Sequence, residues 1–535
     1  MLSRSLLQRL AVGFLPAAFL LILLFAPVGR LFFEGGAGAM AGVAGSLWQD
    51  DYLRWRIAWT FLQAAMTCGL ALVLGLPVAW VLARFEFVGR TPVLRLLMLP
   101  FVVPTLVAAL GVLALWGPRG LLSGWLGFHL QGTPWLLLYG NLFFNLCVVV
   151  RAGVDALGQV SASRVAAART LGATPWRAFW RVEWPAVAPW LASALCLVFL
   201  YCFSGFGLAL ILGGQRFATV EVEIYTLVAH ELKIGEAGAL ALCMMLLNGG
   251  IAWLYAYVEK RLAVPARADV IALRRPASFV QRSAVAAALL VLLVFCAAPL
   301  LAIVMRGALA GSATLSVLLD EETQLALGNT LRFSLSALAL ATVLGLTHAV
   351  AARYSVWLRA CAFLPFVVSP VTVAFGLLLL YPQWTASLPL LLAAYALLAY
   401  PFVAKSIGSA LDSLPAHLEQ AARTLGASPW RCFWRVILPL ISPALRRGMA
   451  FAAATSLGEF AVTLFLSRPE WMTLTTLIYQ RLGRPGAANL DAALVLACLL
   501  MALSLSAFML IEKNLGRGAD ATLPKRTQRK DALHA

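Results

Sequence analysis

Ala168-Arg-Thr-Leu-Gly-Ala-Thr-Pro-Trp-Arg-Ala-Phe-Trp-Arg-Val-Glu-Trp-Pro185 and Ala422-Arg-Thr-Leu-Gly-Ala-Ser-Pro-Trp-Arg-Cys-Phe-Trp-Arg-Val-Ile-Leu-Pro439 are two copies of one eighteen-residue block, 254 positions apart. Each lies between long apolar segments. Lipid-facing helices can resemble one another merely by sharing Leu, Ala and Val. These blocks share Arg, Thr, Gly, Pro and Trp in register, in polar stretches where apolar composition cannot force agreement. The chain therefore reads as a duplicated membrane unit that keeps one polar element in each half.

Composition agrees. Hydrophobic residues make up 62% of 535, charged residues 12%, and the mean hydropathy is +0.88. Soluble domains carry about twice that charged fraction, so the excess apolar surface must face lipid. Runs long enough to cross a bilayer are expected near 11–31, 59–83, 94–116, 134–151, 187–212 and 237–258, then near 284–305, 327–352, 360–381, 386–404, 443–466 and 491–511. The runs are continuous rather than alternating, which excludes a β-barrel. The expected class is an all-α polytopic membrane protein of about twelve transmembrane helices. With six spans per half, both halves enter from the same side and the repeats are parallel. The division follows as repeats 1–258 and 284–512, joined by a basic linker 259–283 and followed by a basic tail 513–535. The run from Leu10 to Pro27 exceeds a usual signal-peptide core, so the first helix is expected to be retained.

Basic residues set the orientation. About thirty of the 41 Lys and Arg fall in segments that share a side with the N-terminus, so the positive-inside rule places both termini in the cytoplasm. The opposite loops carry acidic clusters at Asp50-Asp51, Glu221/Glu223 and Asp320-Glu321-Glu322. The +18 net charge is thus spread over membrane-flanking loops, not gathered in a stripe that nucleic acid could use. Weaker echoes support the duplication: Leu99-Pro-Phe-Val-Val103 recurs as Leu364-Pro-Phe-Val-Val368, Ala83-Arg84 as Ala352-Arg353, and Trp59-Thr60 resembles Asn329-Thr330.

In each block an Ala- and Arg-rich stretch favours helix. Gly172 and Gly426 are placed to stop it in the left-handed conformation, and Pro175 and Pro429 suit the first turn of a second short helix, expected to end before Pro185 and Pro439. The product is a helix–glycine–helix elbow presenting Trp176/Trp180 and Trp430/Trp434. Interfacial anchoring on headgroups would explain the tryptophans but not the identity through Gly and Pro; a docking element explains both.

The pattern Glu-Ala-Ala, three residues, Gly, nine residues, Ile-x-Leu-Pro marks permease subunits of bacterial binding-protein-dependent ABC importers, which this chain resembles. The second copy reads Glu419-Gln420-Ala421-Ala422-Arg423, then Gly426, Pro429 and Val436-Ile-Leu-Pro439, with its acid displaced by one residue. The first reads Ala166-Ala-Ala168-Arg169, then Gly172, Pro175 and Val182-Glu-Trp-Pro185, with no acid at its start. The resemblance implies a bacterial inner-membrane protein whose two elbows dock two ABC ATPase subunits and which receives its solute from a periplasmic binding protein. ATP and Mg would reside on the ATPases, and this chain would bind no cofactor of its own. A finer resemblance is to the fused thiamine-importer permeases, carried by Trp48-Gln-Asp-Asp-Tyr52, Val182-Glu-Trp-Pro185, Ala218-Thr-Val-Glu-Val-Glu-Ile-Tyr225 and Leu477-Ile-Tyr-Gln480. It implies transport of thiamine or its phosphate esters. Fused ferric-iron importer permeases are the rival branch.

No Gly-x4-Gly-Lys-Ser/Thr loop occurs, and no clustered His, Cys or carboxylate set suggests catalysis or a metal site. Glu459, in Ser456-Leu-Gly-Glu-Phe460, is expected within the eleventh span, where a charge costs about 2.5–3.5 kcal/mol and faces the bundle interior. It could line the translocation path or make an interhelical hydrogen bond. Its first-half counterpart is Gly205, beside Ser204. Asn145 could line the same passage or pack helices, and His348 is expected to pack. An ion-coupled secondary transporter is the competing class. The duplicated glycine elbows and the scarcity of intramembrane acids argue against it.

Overall fold

The computed structural model describes residues 13–34, 36, 42, 45, 50–261, 271–309, 311–362, 364–385, 387–466 and 468–513. Arg4 and Arg9, Trp48-Gln49, residues 262–270 of the linker and the tail beyond Lys513 lie outside them. Eleven of the described helices are long and apolar enough to cross a membrane. The first repeat contains α1 (Gly13–Glu34), α2 (Asp51–Arg84), α3 (Thr105–Trp116), α4 (Pro134–Leu157), elbow helix α5 (Ala162–Thr170), α6 (Pro175–Phe203), the short α7 (Gly207–Leu212) and α8 (Val220–Ala229), and α9 (Ile234–Arg261). The second contains α10 (Phe279–Leu309), α11 (Glu321–Ala352), α12 (Pro370–Leu380), α13 (Leu388–Ser413), elbow helix α14 (Ala416–Thr424), α15 (Pro429–Leu457), α16 (Ala461–Leu466), α17 (Leu474–Gly483) and α18 (Ala487–Lys513).

The sequence-based span 360–381 is not one helix. Pro365 and Pro370 divide it into Val356–Cys361, Leu364–Val367 and α12, because neither prolyl nitrogen can donate and Ser369, the residue before Pro370, is pushed out of the helical region to ψ 151°. Pro100 and Pro104 divide the equivalent first-half stretch in the same way.

Four five-residue π-turns interrupt the long helices, at Leu21–Phe25, Phe179–Glu183, Leu293–Ala297 and Phe433–Ile437. Each ends two residues before a proline: Pro27, Pro185, Pro299 and Pro439. Widening the turn to i→i+5 bonding, as where the Trp184 N–H donates to the Phe179 carbonyl, lets the helix pass a residue that has no N–H to give. This corrects the expectation that the elbows' second helices end before Pro185 and Pro439. They run through the π-turn directly into the fifth span of each half.

Within each repeat the second span packs on the fourth, α2 on α4 and α11 on α13. The first spans are exchanged. Helix α1 packs on α12 of the second repeat as well as on α9, while α10 packs on α3 of the first repeat and on α18. Small residues at the crossings permit this. A Cβ on Gly111 would lie 2.7 Å from the Pro299 carbonyl oxygen, and one on Gly376 would lie 3.0–3.2 Å from Pro27 atoms. Gly111→Ala should therefore force α10 away from α3, costing about 1–3 kcal/mol and lowering the melting temperature of the detergent-solubilised protein. Gly29→Ala, which meets nothing within 4 Å, should leave it unchanged.

Candidate coupling elbows and central seam

Both elbows are built the same way. In the first, the Gly172 N–H donates to the Arg169 carbonyl and the Ala173 N–H to the Ala168 carbonyl. In the second, Gly426 donates to Arg423 and Ala427 to Ala422. These paired bonds form a Schellman termination, which needs a left-handed residue. Gly172 has φ +84° and Gly426 φ +81°. A Cβ at either glycine would meet nothing within 4 Å, so backbone conformation, not lack of room, requires glycine. Next, Thr174 and Ser428 accept from the N–H groups of Arg177 and Arg431, and Pro175 and Pro429 open the following helix. The elbows present the same apolar crest to the outside: Leu171 and Leu425 are 88% and 89% exposed, and Trp176 and Trp430 both 70%.

Each elbow is tied to the end of the second helix of its own half. Arg84 Nη2 lies 2.7 Å from Glu183, both buried. Arg353 lies 3.5 Å from Glu419, which also accepts from Arg423 at 2.7 Å, all at the surface.

At the opposite end of the fifth spans the two repeats meet. Helix α6 breaks at Ser204–Phe206 before α7, and α15 breaks at Gly458–Phe460 before α16. Phe206 stacks on Phe460 across the junction with centroids 6.0 Å apart. Tyr225 of α8 packs edge-on against Phe206, and Tyr479 of α17 packs against Phe460. Four rings, two from each repeat at pseudo-equivalent positions, thus fill the seam.

Glu459 lies in the break itself, not in the middle of a helix. It is 8% exposed, and its Oε1 accepts from the Val462 N–H at 2.9 Å, capping α16. Its carbonyl accepts from Thr475 Oγ1 at 2.9 Å. Ser204 lies in the matching break and donates to the Leu200 carbonyl at 2.7 Å. Asn145 is brought to neither the elbows nor the seam. Its amide donates to the Asn141 carbonyl and Cys202 Sγ, beside the Asn141–Gln63 pair, inside the first repeat. His348 is fully buried and its Nε2 is 2.7 Å from the Leu358 carbonyl.

Sequence reasoning missed Glu221 and Glu223, which it placed in an outer acidic cluster. Both are buried. Glu221 Oε2 accepts from Ser369 Oγ of the other repeat at 2.7 Å, while its Oε1 has no partner. Glu223 accepts from the Tyr52 hydroxyl at 2.7 Å and faces Arg56 at 3.4 Å. The available signal was spacing: Glu221 and Tyr225 are four apart and share a helix face. The Thr60/Thr330 echo also has a structural meaning. Thr60 Oγ1 accepts from the Val220 N–H and Thr330 Oγ1 from the Leu474 N–H, so each second span clasps the start of α8 or α17.

Two parallel helical repeats that meet at an aromatic seam, each carrying an exposed elbow before its fifth span, define a duplicated membrane permease. The chain belongs to the binding-protein-dependent transport system inner membrane component family, whose model matches residues 71–264 and 337–515. It is 28% identical over 494 residues to the thiamine transport system permease protein ThiP of Escherichia coli K12, covering 88% of this chain and 91% of that protein. It is 29% identical over 521 residues to the ThiP of Brucella abortus strain 2308, covering 92% and 94%. A match to the E. coli sulfate transport system permease protein CysT, 30% identical over 199 residues, covers 37% of this chain and 72% of the relative.

Proposed function

We propose that this chain is the transmembrane permease of an ATP-driven importer in the bacterial inner membrane. It would move thiamine or its phosphate esters from a periplasmic binding protein to the cytoplasm. The observation that carries the reading is the matched pair of elbows: two surfaces of the same backbone geometry, with the same exposed Leu and Trp, suit two copies of one partner. Ala168, Arg169, Gly172 and Pro175 form the first docking element. Glu419, Gln420, Ala421, Ala422, Arg423, Gly426 and Pro429 form the second. Each receives one ATPase subunit, which holds the ATP and Mg, while this chain does no chemistry on the solute. Both termini face the cytoplasm, on the elbow side. Residues 1–258 and 284–512 act as the two permease repeats on either side of the linker.

The solute passes along the seam. Its wall includes Glu459 and Ser204 at the paired helix breaks, and the four rings close it in the resting state. Asn145 supports the path from within the first repeat. The near full-length similarity to thiamine permeases supports the choice of solute. Uptake of labelled thiamine and of ferric iron should be compared in a strain lacking the chain and in the complemented strain. Thiamine uptake should return with the chain; restoration of iron uptake alone would overturn the assignment.

Stoichiometry offers a second check. One chain supplies both elbows, so native mass measurement of the solubilised complex should give one copy of this chain and two ATPases. Two copies of the chain per complex would contradict the model.

A further inference from the structure

The two elbows differ in where they carry an acid. At the 254-residue offset Glu419 corresponds to Val165 (419 − 254 = 165), and Ile437 corresponds to Glu183 (437 − 254 = 183). The first elbow thus lacks an acid where the second has one, and has one where the second has isoleucine. Both acids meet the same partner, the arginine of an Ala-Arg pair closing the second span: Arg84 after Ala83, and Arg353 after Ala352.

We propose that Arg84 and Glu183 are the positioning pair of the first elbow, Glu183 having taken over from the far end of the element the fastening role that Glu419 performs from its start. The inference rests on the elbows being the ATPase contacts. The transfer changes the character of the joint. The Arg353 and Glu419 side chains are 32% and 25% exposed, so water and salt weaken their attraction. The Arg84 and Glu183 side chains are 4% and 9% exposed. Separating them would leave a bare charge in a dry site, so this joint does not yield.

Other contacts stiffen it further. The Arg84 carbonyl accepts from the Arg274 N–H at 3.0 Å, and the Glu86 N–H donates to the Arg274 carbonyl at 2.9 Å, so the chain joining the two repeats is laid along the same helix end. Among the described residues the second elbow has no such strap. Glu183 itself closes the π-turn that carries the elbow into α6. A push on the first elbow therefore passes to α2, α6 and the linker as one rigid unit, whereas the second elbow is held by a joint that can slip.

The test reads solute carried per ATP hydrolysed, in proteoliposomes holding the complete complex. A purely structural defect removes working complexes and lowers both quantities together, leaving that ratio unmoved. Glu183→Ile, which installs the residue of the second copy, should lower the ratio by about tenfold. Val165→Glu added to Glu183→Ile rebuilds the second elbow's arrangement in the first and should restore most of it. If Glu183→Ile fails to assemble, Arg84→Gln with Glu183→Gln removes both charges, leaves no lone charge buried, and should show the same loss.

An unchanged ratio in an assembled Glu183→Ile or double-Gln complex overturns the proposal, as does failure of Val165→Glu to restore it. The docking reading fails separately. Cysteines placed at Trp176 and Trp430 should cross-link to the ATPase, and absence of cross-links at both sinks docking, whatever the ratio does.

Discussion

Uptake should be abolished when Gly172 and Gly426 are both replaced by Val, with the protein still inserted in the membrane. Both glycines hold φ near +80°, where an L-residue costs about 1–2 kcal/mol and a β-branched one more. Neither Cβ would collide with anything, so the damage is confined to the turn. The Schellman bonds open, and Leu171 and Leu425 leave the positions they share. Asn tolerates the left-handed region better than Val, so Gly172→Asn with Gly426→Asn should retain part of the uptake. Solute-stimulated ATP hydrolysis and labelled-thiamine uptake report the result. Normal transport by the double Val variant would remove the docking model.

Glu459→Gln should lower uptake of a cationic solute by about tenfold or more, since a hydrogen bond or contact to an ionised group is stronger than one to a neutral group, while leaving assembly intact. The amide oxygen of Gln can still accept from the Val462 N–H, so the cap on α16 survives and only the charge is lost. Glu459→Leu loses both and should also reduce the yield of folded protein. Size-exclusion profiles and initial uptake rates separate the two outcomes. If the Gln variant transports normally while the Leu variant fails to assemble, Glu459 is a cap and not part of the path.

The duplication, the helical class and the elbows were legible because each rests on a local rule. Apolar run length marks a span, and a glycine followed three residues later by proline marks a Schellman stop and a new helix. The aromatic seam was less legible. Phe206, Tyr225, Phe460 and Tyr479 are unremarkable aromatics until the two repeats are brought together. Glu221 and Glu223 read as loop acids because the short helix α8 carries too few apolar residues to count as a span, yet the bundle encloses it. The exchange of α1 and α10 has no sequence signal except two glycines, Gly111 and Gly376, whose role depends on prolines in helices far away along the chain. The π-turns were missed because a proline usually signals a helix end, and here the helix widens and continues.

The exchanged first helices have a consequence for biogenesis. Helix α10 leaves the ribosome after its partner α3 is already in the bilayer and can dock at once. Helix α1 can dock early on α9 only: the glycine it meets in α12, Gly376, is made 349 residues after Pro27 (376 − 27). At about 5–20 residues per second, synthesis of that stretch takes roughly 20–70 s. During that interval the side of α1 that joins the core of the second repeat, including Leu20, Leu23 and Leu24, stays solvated by lipid. The N-terminal half is consequently a half-finished object until the ninth span arrives, and a ribosome stalled between α9 and that point would leave α1 held by α9 alone, with a bare face for membrane quality control to find.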